Sequence, residues 1–183
     1  MSFTIGQTVG PYRITEKLGQ GGMATVYKAY HANLDRYIAI KVLHVAFRQD
    51  ESFLERFKRE AQIVAKLEHP HIVPIYDYAD FEGQPYLVMK FLEGETLKKR
   101  MRHNPLPLEE IPSILNPVAA ALDYAHRHDV LHRDVKPSNI VIDKDNTPFL
   151  ADFGLARIAS TGESTLSQDM MLGTPQYISL EQS

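Results

Sequence analysis

Apolar and polar positions alternate early in the chain, with no helical period before residue 50. After a leader over residues 1–10 with room for an edge strand, Tyr12–Leu18 and Ala24–Tyr30 read as strands. Gly19-Gln20-Gly21-Gly22-Met23-Ala24 joins them as a hairpin. No helical cap or period follows Gly22, which argues against the strand-to-helix glycine loop of dinucleotide sites. Asn33-Leu34-Asp35 turns the chain into a third strand, Tyr37–Leu43. Its alternation sets Ile38, Ile40 and Val42 on one face, with Ala39 and Lys41 on the other. From Asp50 to Glu68 the period changes to three and four, with Phe53, Phe57, Ala61, Val64 and Leu67 in one stripe. This predicts an amphipathic helix closed by His69-Pro70. Ile72–Phe81 and Pro85–Met89 return to strand pattern about a Glu82-Gly83 turn.

Lys90–Glu95 is a connector, which sets the expected boundary between residues 1–90 and 91–183. Five strands and one helix precede it, and mainly helices follow. Thr96 can cap a short helix. Leu108–Arg127 carries a helical stripe of Ile111, Leu115, Val118, Leu122 and Ala125. Pro112 falls in the first turn, where N–H groups are free, but Pro117 should kink the helix or cost roughly 3 kcal/mol.

Composition narrows the function classes. The absence of cysteine excludes a disulfide framework, a thiolate metal site and a cysteine nucleophile, and it fits a reducing compartment. A net charge of −3 gives no electrostatic footprint for nucleic acid. No apolar run reaches membrane-spanning length and no signal peptide is visible. A cytoplasmic location is therefore expected, with any membrane tether of a longer protein lying beyond residue 183. His126, His128 and His132 lack the spacing and the acidic partner of a zinc site.

The chemistry concentrates in His132-Arg133-Asp134-Val135-Lys136-Pro137-Ser138-Asn139, which runs into apolar Ile140-Val141-Ile142, and in Asp152-Phe153-Gly154. Two acids and a carboxamide at a hairpin suggest a Mg²⁺ site with a base beside it, since Mg²⁺ takes hard oxygen ligands together with substrate phosphates. The glycine-rich hairpin can lie over phosphates, because missing side chains let backbone N–H groups approach an anion. Lys41 shares its strand face with small Ala39, and a cation held there wants anionic partners. Glu60 has two candidate partners: Arg56 one turn earlier, in an exposed pair worth about 0.2–0.5 kcal/mol, or Lys41 across the helix–sheet contact.

Taken in order, these motifs resemble the eukaryotic-type protein kinases, in their bacterial serine/threonine branch. The resemblance rests on the glycine loop at 19–24, Ile38-Ala39-Ile40-Lys41, Glu60 on a helix, His132-Arg133-Asp134 through Asn139, Asp152-Phe153-Gly154, and Gly173-Thr174-Pro175 before Glu181. It covers the chain from residue 12. It implies an α+β, protein kinase-like fold: a five-stranded antiparallel first lobe with one helix, then an incomplete, mainly helical second lobe.

The resemblance also implies roles. Gly19, Gln20, Gly21 and Gly22 would cover the phosphates of ATP. Lys41, oriented by Glu60, would hold the α- and β-phosphates. Leu18, Val26, Ala39, Val73 and Val141 would form the adenine slot with Met89 as gatekeeper, and backbone groups of Lys90 and Leu92 would pair with the adenine edge. Asp152 and Asn139 would bind Mg²⁺. Asp134 would take the substrate hydroxyl proton, with Lys136 near the γ-phosphoryl group. Val64, Ile75, His132 and Phe153 would stack as a spine. Protein substrates bearing Ser or Thr are the implied partners, with a homodimer for trans-autophosphorylation. Leu155–Leu172 resembles an activation loop, with Thr165 or Ser167 the expected phosphorylation sites and Arg133 their phosphate-binding partner.

Ala24, Lys90 and Leu180 depart from the family pattern, and the chain stops at Ser183 where the family's helical lobe continues. A truncated second lobe, with a catalytic loop poorly supported from below, is therefore expected. The second reading is a catalytically silent kinase-like module that binds ATP or a partner.

Overall fold

In the computed structural model, which describes residues 2–48, 50–103 and 105–153, the early alternation becomes an antiparallel sheet. Its strands are β1 (Thr8–Val9), β2 (Tyr12–Gln20), β3 (Ala24–His31), β4 (Arg36–Leu43), β5 (Ile75–Phe81) and β6 (Gln84–Lys90), in spatial order β1-β2-β3-β4-β6-β5. The five expected strands are present, and the leader adds β1 at the edge through Val9↔Tyr12. Gly19 and Gln20 complete β2, so the glycine-rich turn narrows to residues 21–23. At the β5–β6 turn, Glu82 (φ 54°) and Gly83 (φ 71°) are both left-handed, as a tight hairpin with right-twisted strands requires.

Alternation sorts the faces of this sheet. One face buries Ile14, Tyr27, Ala29, Ile38, Ile40, Val42, Tyr86 and Val88. Phe3 covers it, its ring centroid 6.0 Å from those of both Tyr27 and Tyr86. That plug was hidden in what looks like a bare leader. The helix α1 (Glu51–Val64) begins where Asp50 accepts the Phe53 N–H at 3.0 Å, and it buries Phe53, Phe57, Ala61 and Val64.

The expected limits of this region need correction. The helix ends at Val64 rather than Glu68, although Leu67 is still buried. The strand expected from Ile72 starts at Ile75. Backbone bonding explains both shifts: the Leu150 N–H donates to the His71 carbonyl (2.7 Å), and the Val73 N–H to the Leu150 carbonyl (3.0 Å). Residues 66–73 are thereby drawn out of the first unit. The chain divides into one unit of residues 1–65 with 74–91, and another of 66–73 with the residues from 92 onward.

In the second unit, β7 (Gly94–Thr96), β8 (Ile140–Asp143) and β9 (Pro148–Leu150) form a three-stranded antiparallel sheet in that order. The Thr96 hydroxyl accepts the Lys99 N–H at 3.2 Å and caps α2 (Leu97–His103). The longer α3 (Ile111–Arg127) buries Ile114, Val118, Ala121 and Ala125; Val118 and Ala125 belong to the expected stripe, whose Ile111 and Leu122 are half-buried, while Leu115 is 50% exposed. The buried line is turned from Leu115 toward Ile114 and Ala121, because small side chains at 121 and 125 allow close approach to β9. Pro117 sits within the unbroken helix. It removes the donor that would meet the carbonyl of Ser113, an exposed residue where water can take the bond.

At Gly94 a Cβ would stand 2.0 Å from the backbone oxygen of Ile142. Gly94→Ala should therefore push β7 off β8 and destabilise the protein by about 1–3 kcal/mol, read as a lower urea midpoint. An unchanged midpoint would contradict this packing.

Candidate active site

The loop between α3 and β8 is shaped by one buried imidazole. His132 is 1% exposed. Its Nε2–H donates to the Ala151 carbonyl at 2.9 Å, and its Nδ1 accepts the Asp134 N–H at 3.3 Å. These two bonds fix the neutral tautomer. Burial holds the His132 pKa below its ordinary value, against the opposing pull of the Ala151 carbonyl and the Asp152 and Asp134 carboxylates. The Phe153 ring packs 4.6 Å from the imidazole, centroid to centroid.

Asp134 is the next link. Lys136 Nζ lies 2.7 Å from its Oδ2, and Asn139 Nδ2 donates to the same oxygen at 3.1 Å and to the Asp134 carbonyl at 2.9 Å. The carboxylate is thus held in one rotation by two side chains and presented with about a tenth of its surface open. Asn139 is itself buried. The Ala151 N–H donates to its carbonyl at 2.8 Å, and its own N–H donates to the Lys136 carbonyl at 2.9 Å. Its amide nitrogen is committed to Asp134, so the amide oxygen is the end suited to a cation. Arg133 and Asp152 both have φ of 63°, the left-handed region in which non-glycine residues cost energy and which clusters at functional sites.

The β8–β9 hairpin that carries these groups is closed by Asp143, whose Oδ1 accepts the N–H groups of Asp145 (2.9 Å) and Thr147 (2.8 Å). Val141 is half-buried on β8 and Val73 is buried in the same unit. Leu92, also in this unit, is half-buried.

The first unit places another set on one sheet face. Register pairs Val26 with Lys41, Lys41 with Leu87, and Ala39 with Met89, and directly paired residues of antiparallel strands share a face. Lys41 is 8% exposed there, which is unusual for a lysine. Leu18, expected in an apolar slot, is 42% exposed at the β2 end, just before the glycine-rich turn. The Lys90 N–H donates to the Pro74 carbonyl at 3.0 Å, so pairing with an adenine edge would have to use its carbonyl instead. Glu60 is half-buried on α1. Arg56, one of its two candidate partners, lies 4.0 Å from Asp50.

Residues 154–183 lie outside the described residues. The expected activation loop, with Thr165 and Ser167, and the Leu180 and Glu181 positions therefore have no structural account. Sequence reasoning missed Ala151, which ties His132 and Asn139 together through its backbone; a main-chain role leaves no side-chain signal.

The protein kinase domain family matches residues 12–182 of this chain. Serine/threonine-protein kinase PknH of Mycobacterium tuberculosis is 41% identical over 178 residues, covering 97% of this chain and 28% of the relative. Serine/threonine-protein kinase PrkC of Bacillus subtilis is 40% identical over 181 residues, 98% of this chain and 28% of that protein. The chain thus spans about three tenths of the length of these curated relatives. Among solved structures, the PknI kinase domain of Mycobacterium tuberculosis superposes with a TM-score of 0.75 at 38% identity, over 85% of this chain and 64% of that one.

The buried neutral His132 makes stability depend on pH. Its unfolded pKa is near 6.5 and its folded pKa lies lower, so below pH 6.5 unfolded chains bind a proton that folded chains refuse. Its contribution is complete above that value and is lost as pH falls toward the folded pKa; His69 is shifted in the same direction. Melting temperature should fall between pH 7.5 and 5.5. His132→Phe should have a lower melting temperature throughout but a shallower decline, and an equal slope in both proteins would refute the assignment.

Proposed function

The chain belongs to the protein kinase domain family, and on that premise we propose that it carries the catalytic machinery of a serine/threonine protein kinase. The reaction is transfer of the γ-phosphoryl group of ATP to Ser or Thr hydroxyls of proteins. The observation that carries this reading is Asp134, fixed by Lys136 and Asn139 on a hairpin that continues to Asp152.

Phosphoryl transfer asks for positioning and charge neutralisation more than for covalent help. In this reading Asp134 takes the proton of the attacking hydroxyl as the new P–O bond forms and the bond to ADP breaks. Lys136, already paired with Asp134, places its ammonium beside the transferring group. Lys41 binds the α- and β-phosphates, and the glycine-rich hairpin covers them with backbone N–H groups. Val26, Ala39 and Met89 offer an apolar face to the base.

The donors present suit Mg²⁺. Among the described residues no cluster of three His, Asp or Glu side chains forms, and Mg²⁺ needs only one or two carboxylates beside substrate phosphates. Asp152 and the amide oxygen of Asn139 would hold it, and when bound it supplies neutralising charge to the phosphates.

We assign the action to the cytoplasm, where ATP is abundant. Among the described residues no helix is long and apolar enough to cross a membrane. Two copies of the chain would phosphorylate each other within residues 155–172. The alternative reading is a module that binds ATP without transferring phosphate.

Transfer from labelled ATP to protein, with Asp134→Asn as control, separates the two. Loss of a positioned base should reduce the rate by about 10²–10⁴-fold. Equal incorporation by both proteins would remove the kinase reading, and Lys41-dependent ATP binding without transfer would establish the second. Mass spectrometry after incubation with ATP and Mg²⁺ should find phosphate between residues 155 and 172. An active enzyme without it there would disprove autoactivation.

A further inference from the structure

Strand β4 delivers Lys41 to the sheet and ends two residues later at Leu43; the next residue, half-buried His44, reaches back to the glycine-rich hairpin at three points. Its backbone N–H donates to the Met23 carbonyl at 2.8 Å. Its Nδ1 lies 3.1 Å from the Gly22 carbonyl oxygen, and its Nε2 lies 3.0 Å from the Thr25 hydroxyl. Carbonyl chemistry settles the roles. Gly22 oxygen can only accept, so Nδ1 carries the proton; in the neutral ring Nε2 then accepts the Thr25 O–H. Thr25 is 4% exposed, which makes it a firm anchor for the ring.

The turn needs such an anchor. It has one internal backbone bond, from the Gly21 N–H to the Ala24 carbonyl at 2.9 Å. A side chain starting at Gly22 would meet nothing within 4 Å, so packing does not hold the tip there. Backbone N–H groups bind an anion well only when their directions are set beforehand.

We propose that His44 is a positioning residue that latches the glycine-rich turn to the end of the Lys41 strand, setting the loop's backbone for phosphate binding. The proposal deepens the kinase reading and rests on it for the identity of the ligand. The latch itself is a property of the first unit alone, since every residue in it lies there.

The test compares the intact chain with His44→Ala, His44→Asn and Thr25→Val. Hydrogen–deuterium exchange over residues 19–25 reports the loop, and equilibrium binding of a fluorescent ATP analogue reports the site. His44→Ala should speed exchange over the turn and raise the Kd roughly 3- to 10-fold, with kcat changed less than KM. His44→Asn can donate from its amide nitrogen near the position of Nδ1 and should recover most of both losses, which general destabilisation would not produce. Thr25→Val removes only the ring's anchor, should give an intermediate effect, and carries the test if His44→Ala does not fold. Unchanged exchange and unchanged Kd in His44→Ala, or in Thr25→Val where it stands in, would overturn the latch. A wild-type protein that binds no ATP analogue would instead overturn the kinase reading, while the exchange comparison would still decide whether the latch exists.

Discussion

The backbone of Ala151, its N–H and its carbonyl, is the point on which the second unit's chemistry depends. Its carbonyl receives the buried His132 imidazole, and its N–H reaches the carbonyl of Asn139. The backbone of one residue therefore sets the two residues that set Asp134: His132 through the Asp134 backbone, and Asn139 through its carboxylate. A buried polar network of this kind is stable only when each member is satisfied. Here the satisfied network also aims an acid. Asp152 follows directly in a left-handed conformation, so the strain at that residue and the order of the loop belong to one construction.

The first unit reaches order by another route. Its strands alternate, and one apolar face is buried under Phe3. The opposite face is left to Lys41, Ala39, Val26 and Met89 by the pleat alone. A lysine only 8% exposed is costly to desolvate, and such positions are retained where an anion makes use of the charge. On the proposed reading that anion is a nucleotide phosphate, and the glycine-rich turn beside Lys41 makes the same chemical sense.

Much of this was legible in the sequence because period-two and period-three-and-four patterns are local. The strands bearing the glycine-rich turn and Lys41, the helix bearing Glu60, and the hairpin bearing Asn139 all follow from residue type and spacing. What was not legible depends on distant partners. On α3 the sequence stripe included Val118 and Ala125, and only contact with β9 decides that Ile114 and Ala121 are buried beside them while Leu115 is exposed. The segment 66–73 left its helix and strand because Leu150, far along the chain, bonds its backbone.

The sequence by itself determined the element types, the chemical inventory and the family, since these depend on side-chain identity and near-neighbour periodicity. Tertiary structure alone decided which partner each polar group takes. It joined Lys136 and Asn139 to Asp134, and set His44 against Gly22 and Thr25. Hydrogen bonds and ion pairs act over a few ångströms, and only the folded chain determines which groups come that close.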